Sequence, residues 1–272
     1  MPDISDRLRL LSDIDLFVLD MDGTFYLSED IIPGSPEFLK AVTDTGRRWM
    51  FFTNNSSKDK QLYIDKLARM NCHITEADIL TSGDITIEFL KANRSGRSVY
   101  VMGTEPLVSS FKNAGIDVRQ ELTDTADIVV VAFDMSLTYA KLEHACTLIR
   151  NGAEYIATHP DINCPVKGGF IPDCGAFIAA INLSTGSAPR ILGKPYPETA
   201  DMIASVSGVP KKRIAFVGDR LYTDVACGVN NQAKGILVLS GETCIDAVAD
   251  SPVQPDLIYD RLYDIGQDLL RL

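Results

Sequence analysis

Four short runs of consecutive apolar residues punctuate the chain: Leu16-Phe17-Val18-Leu19, Trp49-Met50-Phe51-Phe52, Ile214-Ala215-Phe216-Val217 and Ile236-Leu237-Val238-Leu239. Each is too short for a helix and has no alternating polar side, so each predicts a strand buried on both faces. A polar or glycine-bearing turn follows each run, and then a stretch of helical periodicity. Leu62, Leu67 and Met70 form one apolar stripe, and Met202, Ile203 and Val206 form another. Strand, turn and helix alternating along the whole length is the pattern of a parallel-sheet α/β protein.

A middle block carries the same alternation by itself. Val99–Met102, Ile128–Phe133 and Tyr155–Thr158 read as strands, with Leu107–Ala114, Tyr139–Arg150 and Ala176–Leu183 as helices between and after them. These elements suffice for a separate α/β subdomain bounded by Asp84 and Ser187. Neither an internal repeat nor a low-complexity segment interrupts the chain.

The 272 residues, 46% hydrophobic and 23% charged, are those of an ordinary globular protein of one large or two moderate domains. Disordered, collagenous and coiled-coil classes are excluded. Lys+Arg number 26 against 37 Asp+Glu, a net charge of −11. That balance argues against nucleic acid or an anionic membrane as a partner, since both require a basic footprint. A small anionic substrate stays open, provided a cation is bound locally. No run approaches the ~20 apolar residues of a membrane span. Asp3, Asp6 and Arg7 are scattered through the N-terminus with no apolar segment among them, so no signal peptide is expected and the location read from sequence is cytoplasmic. The six cysteines form no CxxC pair and read as buried or free thiols. His159, Cys164 and Cys174 fit no zinc-finger spacing, so zinc is not expected.

Chemistry enters where the first predicted strand runs into Asp20-Met21-Asp22-Gly23-Thr24. Two carboxylates two residues apart then sit at the carboxyl end of a parallel strand, where open α/β sheets bind ligands. Phe51-Phe52-Thr53-Asn54-Asn55 ends the second strand in a hydroxyl, amides and backbone N–H groups suited to phosphate oxygens, although Thr-Asn-Asn is also ordinary turn chemistry. Leu192-Gly193-Lys194-Pro195 offers a lysine. Val217-Gly218-Asp219-Arg220-Leu221-Tyr222-Thr223-Asp224 puts a carboxylate just past another strand and a second five residues on.

In this order the pieces resemble the four motifs of the haloacid dehalogenase-like hydrolase superfamily: Asp20 to Thr24, then Thr53, then Lys194, then Gly218 to Asp224. Asn54-Asn55 after Thr53, and the long insert before Lys194, resemble the NagD-like branch, which includes 4-nitrophenylphosphatase and phosphoglycolate phosphatase types. All four motifs are intact, and the resemblance covers the chain from Asp15 onward. It implies a Rossmann-like parallel-sheet core over residues 1–83 and 188–272, with a large α/β cap inserted at 84–187. Spacing agrees: the first two motifs are 33 residues apart and the second and third are 141 apart. Such a cap closes over the core and supplies the substrate-facing surface; Asp134, His159, Asp161 and Asp173 lie in loops that could do so.

The resemblance also implies roles. Asp20 is the nucleophile that becomes an aspartyl-phosphate, and Asp22 is the acid and base. Mg2+ is the cofactor, held by Asp20, Asp219 and the backbone carbonyl of Asp22, with Asp224 ligating directly or orienting its waters. Thr53, Asn54, Asn55 and Lys194 bind the phosphate. The expected activity is hydrolysis of a small-molecule phosphate monoester: a nucleoside monophosphate, sugar phosphate, phosphoglycolate or aryl phosphate. Asp22 argues against dehalogenation, because a departing halide needs no acid whereas an alkoxide does. Phosphotransfer to a sugar hydroxyl, as in a phosphomutase, and non-catalytic binding of a phosphometabolite remain as alternatives. A homodimer is one assembly the resemblance allows.

Overall fold

In the computed structural model, which describes residues 4–166 and 168–272, the continuous apolar runs become strands of two sheets, all but Val99–Met102 of them inner strands. Asp3, the other two N-terminal residues of the expected core and Lys167 of the expected cap lie outside the described residues. The chain divides into two compact units. One takes in the chain up to Thr53, Ile64–Leu80 and Lys194–Leu272; the other takes in Asn54–Tyr63 and Thr81–Gly193. The second unit therefore begins and ends outside the expected 84–187 and includes a short stretch directly after Thr53.

The first unit is built on a six-stranded sheet in the order Leu257–Tyr259, Lys234–Val238, Ile214–Gly218, Leu16–Leu19, Arg48–Thr53, Ile79–Thr81. Leu16–Leu19 is central and runs parallel to both neighbours, pairing Val18 with Phe216 on one side and with Met50 on the other. All four of its residues are buried, as a strand covered by helices on both faces requires. Phe17 packs edge to face on Phe38 of the helix Ser35–Asp44, ring centroids 5.6 Å apart. The adjacent ends of Leu16–Leu19, Arg48–Thr53 and Ile214–Gly218 are the positions from which the candidate side chains emerge.

Sequence patterning found those strands and passed over others. The helices Ile4–Ser12 and Leu262–Leu269, the three-residue strands Ile79–Thr81 and Leu257–Tyr259, and the small hairpin of Tyr26–Leu27 with Asp30–Ile31 were not predicted. They are too short or too polar to stand out by periodicity.

The second unit has a four-stranded parallel sheet in the order Arg190–Ile191, Glu154–Ala157, Ile128–Val131, Val99–Met102. Tyr100, Met102, Val129 and Val131 pack with Ala145, Ile149, Ile178 and Ile181 of the helices Tyr139–Arg150 and Cys174–Thr185. The apolar run Ile128–Phe133 ends as a strand at Val131, because the Phe133 N–H turns away to donate to Ser56 Oγ at 3.2 Å. An antiparallel hairpin, Asn163–Val166 with Gly169–Pro172, completes the unit. Among the described residues no helix is long and apolar enough to cross a membrane.

Candidate active site

Asp20 leaves the central strand still tied to the ladder, its N–H donating to Val217 O at 2.9 Å. The chain then turns sharply: Met21 O accepts the N–H groups of Phe25 and Tyr26, and Gly23 has φ of +84°. A side chain at Gly23 would meet that left-handed backbone and also overlap the carboxylate of Asp219. Asp219 follows the strand Ile214–Gly218 directly. Asp224 sits in the π-helical turn Leu221–Val225, a wide turn of a kind found often at functional positions.

These turns bring Asp20, Asp219 and Asp224 together, each offering a carboxylate oxygen within 4.8 Å of the others. Lys194 is buried against them. Its Nζ lies 2.7 Å from Asp20 Oδ1, 2.5 Å from Asp224 Oδ1 and 3.3 Å from Phe52 O. Three carboxylates against one ammonium leave an excess of negative charge in a place with little water. Removal from solvent raises the Asp20 carboxyl to about 7; Lys194 opposes this, while Asp224 and Asp219 add to it. Burial likewise raises Asp219 to about 6, with Asp224 adding repulsion and the Glu242 backbone N–H opposing it. Lys194 is held firmly protonated, because its two carboxylate partners outweigh its burial. An all-oxygen donor set with surplus negative charge is the chemistry that suits a hard divalent cation such as Mg2+.

Asp22 is exposed, and its carboxylate is not part of that cluster. Its pKa is raised by partial desolvation, against the pull of Lys66 and Arg220. Thr53 is the last residue of its strand, half-buried, at the carboxyl end beside that of Leu16–Leu19. Asn54 and Asn55 belong to the second unit, and their side chains are used within it. Asn54 Nδ2 donates to Asp161 Oδ1 at 3.0 Å, and Asn55 Oδ1 accepts from Ser57 N and Oγ at 3.0 and 2.7 Å. The Asn55 side chain thus makes a local turn, the ordinary chemistry of such a sequence.

Within the second unit, Asp134 is buried, caps Ser136 and pairs with Lys141 at 2.8 Å. His159 is wholly buried between Thr158 Oγ1 and Asp173 Oδ1, both at 2.9 Å, and Asp173 also caps the helix Cys174–Thr185. Two residues near the acidic cluster were not anticipated. Arg220 pairs with Glu242 at 2.8 Å, and the Glu242 N–H donates to Asp219 Oδ2 at 2.7 Å. The only signal for Glu242 was its place just past the run Ile236–Leu239.

A family model described as haloacid dehalogenase-like hydrolase matches residues 17–117, and a second, HAD-hydrolase-like, matches residues 191–265. The acid sugar phosphatase of Staphylococcus aureus strain MRSA252 is 32% identical over 253 residues, covering 93% of this chain and 97% of that protein. A crystal structure of 4-nitrophenylphosphatase from Thermotoga maritima is 44% identical with a TM-score of 0.90, covering 95% of this chain and 98% of that one. NagD from E. coli K-12 is 29% identical with a TM-score of 0.85, covering 92% and 98%. The chain belongs to the haloacid dehalogenase-like hydrolases, in the branch of NagD and the 4-nitrophenylphosphatases, and is a phosphatase.

Proposed function

We propose that this chain is a Mg2+-dependent hydrolase of small phosphate monoesters, sugar and aryl phosphates foremost, working through an aspartyl-phosphate on Asp20. The observation that carries the reading is the convergence of the Asp20, Asp219 and Asp224 carboxylates, two of which, Asp20 and Asp224, share one buried ammonium. The substrate class follows the relatives, named for acid sugar phosphates and for 4-nitrophenyl phosphate.

In this reading Asp20, Asp219 and Asp224 would hold the cation together with the backbone carbonyl of Asp22. When bound, the cation offsets the repulsion between an anionic nucleophile and a dianionic phosphate. A carboxylate oxygen of Asp20 attacks phosphorus; the bond to the substrate oxygen breaks, and that oxygen takes a proton from Asp22. Asp22, now a carboxylate, removes a proton from water. The resulting hydroxide attacks phosphorus, releasing inorganic phosphate and restoring the Asp20 carboxylate. The raised pKa of Asp22 suits the acid role. Lys194, with its fixed charge, and the Thr53 hydroxyl bind phosphate oxygens as their charge grows toward the transition state.

The test is release of phosphate from 4-nitrophenyl phosphate and from a panel of sugar phosphates, with and without Mg2+. Asp20→Asn abolishes release; turnover equal to the unaltered protein's would overturn the assignment. Labelled oxygen from water enters the released phosphate if water is the acceptor, and does not if a sugar hydroxyl is.

A further inference from the structure

We infer that the segment Ser240-Gly241-Glu242-Thr243 is a positioning element that fixes which oxygen of Asp219 is available to a cation. The inference rests on the reading of Asp219 as a metal ligand and goes beyond it by naming what orients that ligand. The segment follows the strand Lys234–Val238, which lies beside Ile214–Gly218 in the first unit's sheet.

Five polar contacts, four hydrogen bonds and one ion pair, tie the segment to the acidic turns. Ser240 Oγ donates to Gly23 O at 2.8 Å, holding the segment to the turn that follows Asp20. The Glu242 N–H donates to Asp219 Oδ2 at 2.7 Å, and the Thr243 N–H donates to Asp219 O at 3.2 Å. The Glu242 side chain fastens the segment from outside, pairing with Arg220 Nε at 2.8 Å and accepting from Tyr222 OH at 2.9 Å. Between these bonds lies Gly241, whose backbone comes so close that a Cβ there would overlap the Asp219 carboxylate. Oδ2 is therefore committed to a backbone donor, while the side-chain donor nearest Oδ1 among the described residues is Thr24 Oγ1 at 3.5 Å, the long limit of a hydrogen bond. Oδ1 is the atom left to meet a cation. A ligating carboxylate held by a hydrogen bond to its other oxygen is the usual way that the surroundings of a metal site orient its ligands.

The experiment measures Mg2+ binding to the substrate-free protein by titration calorimetry, alongside melting temperature. Gly241→Ala displaces the Asp219 carboxylate and weakens Mg2+ binding about 10- to 100-fold, the range for loss of such supporting contacts. Ser240→Ala and Glu242→Ala loosen the segment and weaken binding less. Glu242→Gln keeps the backbone N–H and a side-chain acceptor for Tyr222, and retains most of the affinity. A merely structural role lowers the melting temperature and leaves the dissociation constant unmoved. If Gly241→Ala fails to fold, unchanged affinity in both Ser240→Ala and Glu242→Ala overturns the inference. Failure of the underlying reading looks different: the unaltered protein does not bind Mg2+, or Asp219→Asn binds it equally well.

Discussion

Lys194 Nζ and Asp224 Oδ1 lie 2.5 Å apart, with each side chain at most 4% exposed. The pair spans 30 residues of sequence and joins the segment after Leu192 to the turn that follows Gly218. A second carboxylate, Asp20, shares the same ammonium at 2.7 Å. Removing the lysine leaves a buried carboxylate, Asp224, and a half-buried one, Asp20, with their shared cation gone. Lys194→Met should therefore destabilise the metal-free protein by about 3–5 kcal/mol, the cost of breaking a buried pair from one side. It should also lower kcat by at least about 100-fold, as loss of a transition-state donor does. Chemical denaturation without divalent cations measures the first and phosphate release at saturating Mg2+ the second; a variant as stable and active as the unaltered protein refutes both.

Asp219 tests the opposite sign. It is a buried carboxylate whose desolvation and repulsion by Asp224 outweigh the pull of Arg220 and of the Glu242 N–H. Asp219→Asn should stabilise the metal-free protein by the ~0.5–2 kcal/mol typical of relieving strain at a functional site, and so raise its melting temperature. The same change should abolish stabilisation by Mg2+, which at 100 times its dissociation constant is about 2.7 kcal/mol for a single site. Thermal unfolding with and without MgCl2 reads both; a lower melting temperature in the absence of metal would contradict the electrostatic argument.

Gly23 couples backbone to site. Its φ of +84° is one that glycine adopts freely, and its close approach to Asp219 leaves no room for a methyl group. Gly23→Ala should cost roughly 1–3 kcal/mol for the strained backbone alone and should move Asp219 as well. Loss of Mg2+ affinity beyond the loss of stability is the outcome to look for, by calorimetry on folded protein. Unchanged affinity would mean that the turn relaxes without disturbing the carboxylate.

How much of this was legible in the chain depends on how local each signal is. The four apolar runs became inner strands, because burial on both faces is written directly into composition. Asp20, Lys194, Asp219 and Asp224 were found from short motifs at strand ends, and the fold brings their side chains into one cluster. Glu242 had only its position to mark it: its bond to Asp219 comes from a backbone N–H, 23 residues from its acceptor, and any residue but proline supplies that donor. Arg220 stood inside a quoted motif but had no assigned role, because its partner Glu242 was unknown. Asn55 illustrates the converse, a motif residue whose carboxamide is engaged by Ser57 two positions on. The unit boundary at Thr53–Asn54 was likewise hidden, since it falls inside a continuous polar stretch with no change of composition.

The second unit has its own acid-sensitive anchor. Glu154, at the start of an inner strand, is gripped by Arg94 from helix Ser82–Asn93's C-terminal end through Nε at 2.7 Å and a second guanidinium nitrogen at 2.8 Å. Arg97 adds a third contact at 2.6 Å. The Arg94 hydrogen bond, outweighing partial burial, holds the Glu154 carboxyl below its ordinary value. A carboxyl whose pKa is depressed by folding binds fewer protons in the native state than in the unfolded one. Its contribution is therefore complete above the ordinary glutamate value of 4.5 and declines as pH falls through the lower, folded one. Glu154→Gln removes it at every pH, so the variant should be less stable at pH 7, by about 1 kcal/mol for a partly exposed pair of good geometry. The difference from the unaltered protein should shrink on acidification. Urea unfolding at neutral and acid pH measures that difference, and a gap that widens as pH falls would show that the ion pair is not what Glu154 contributes.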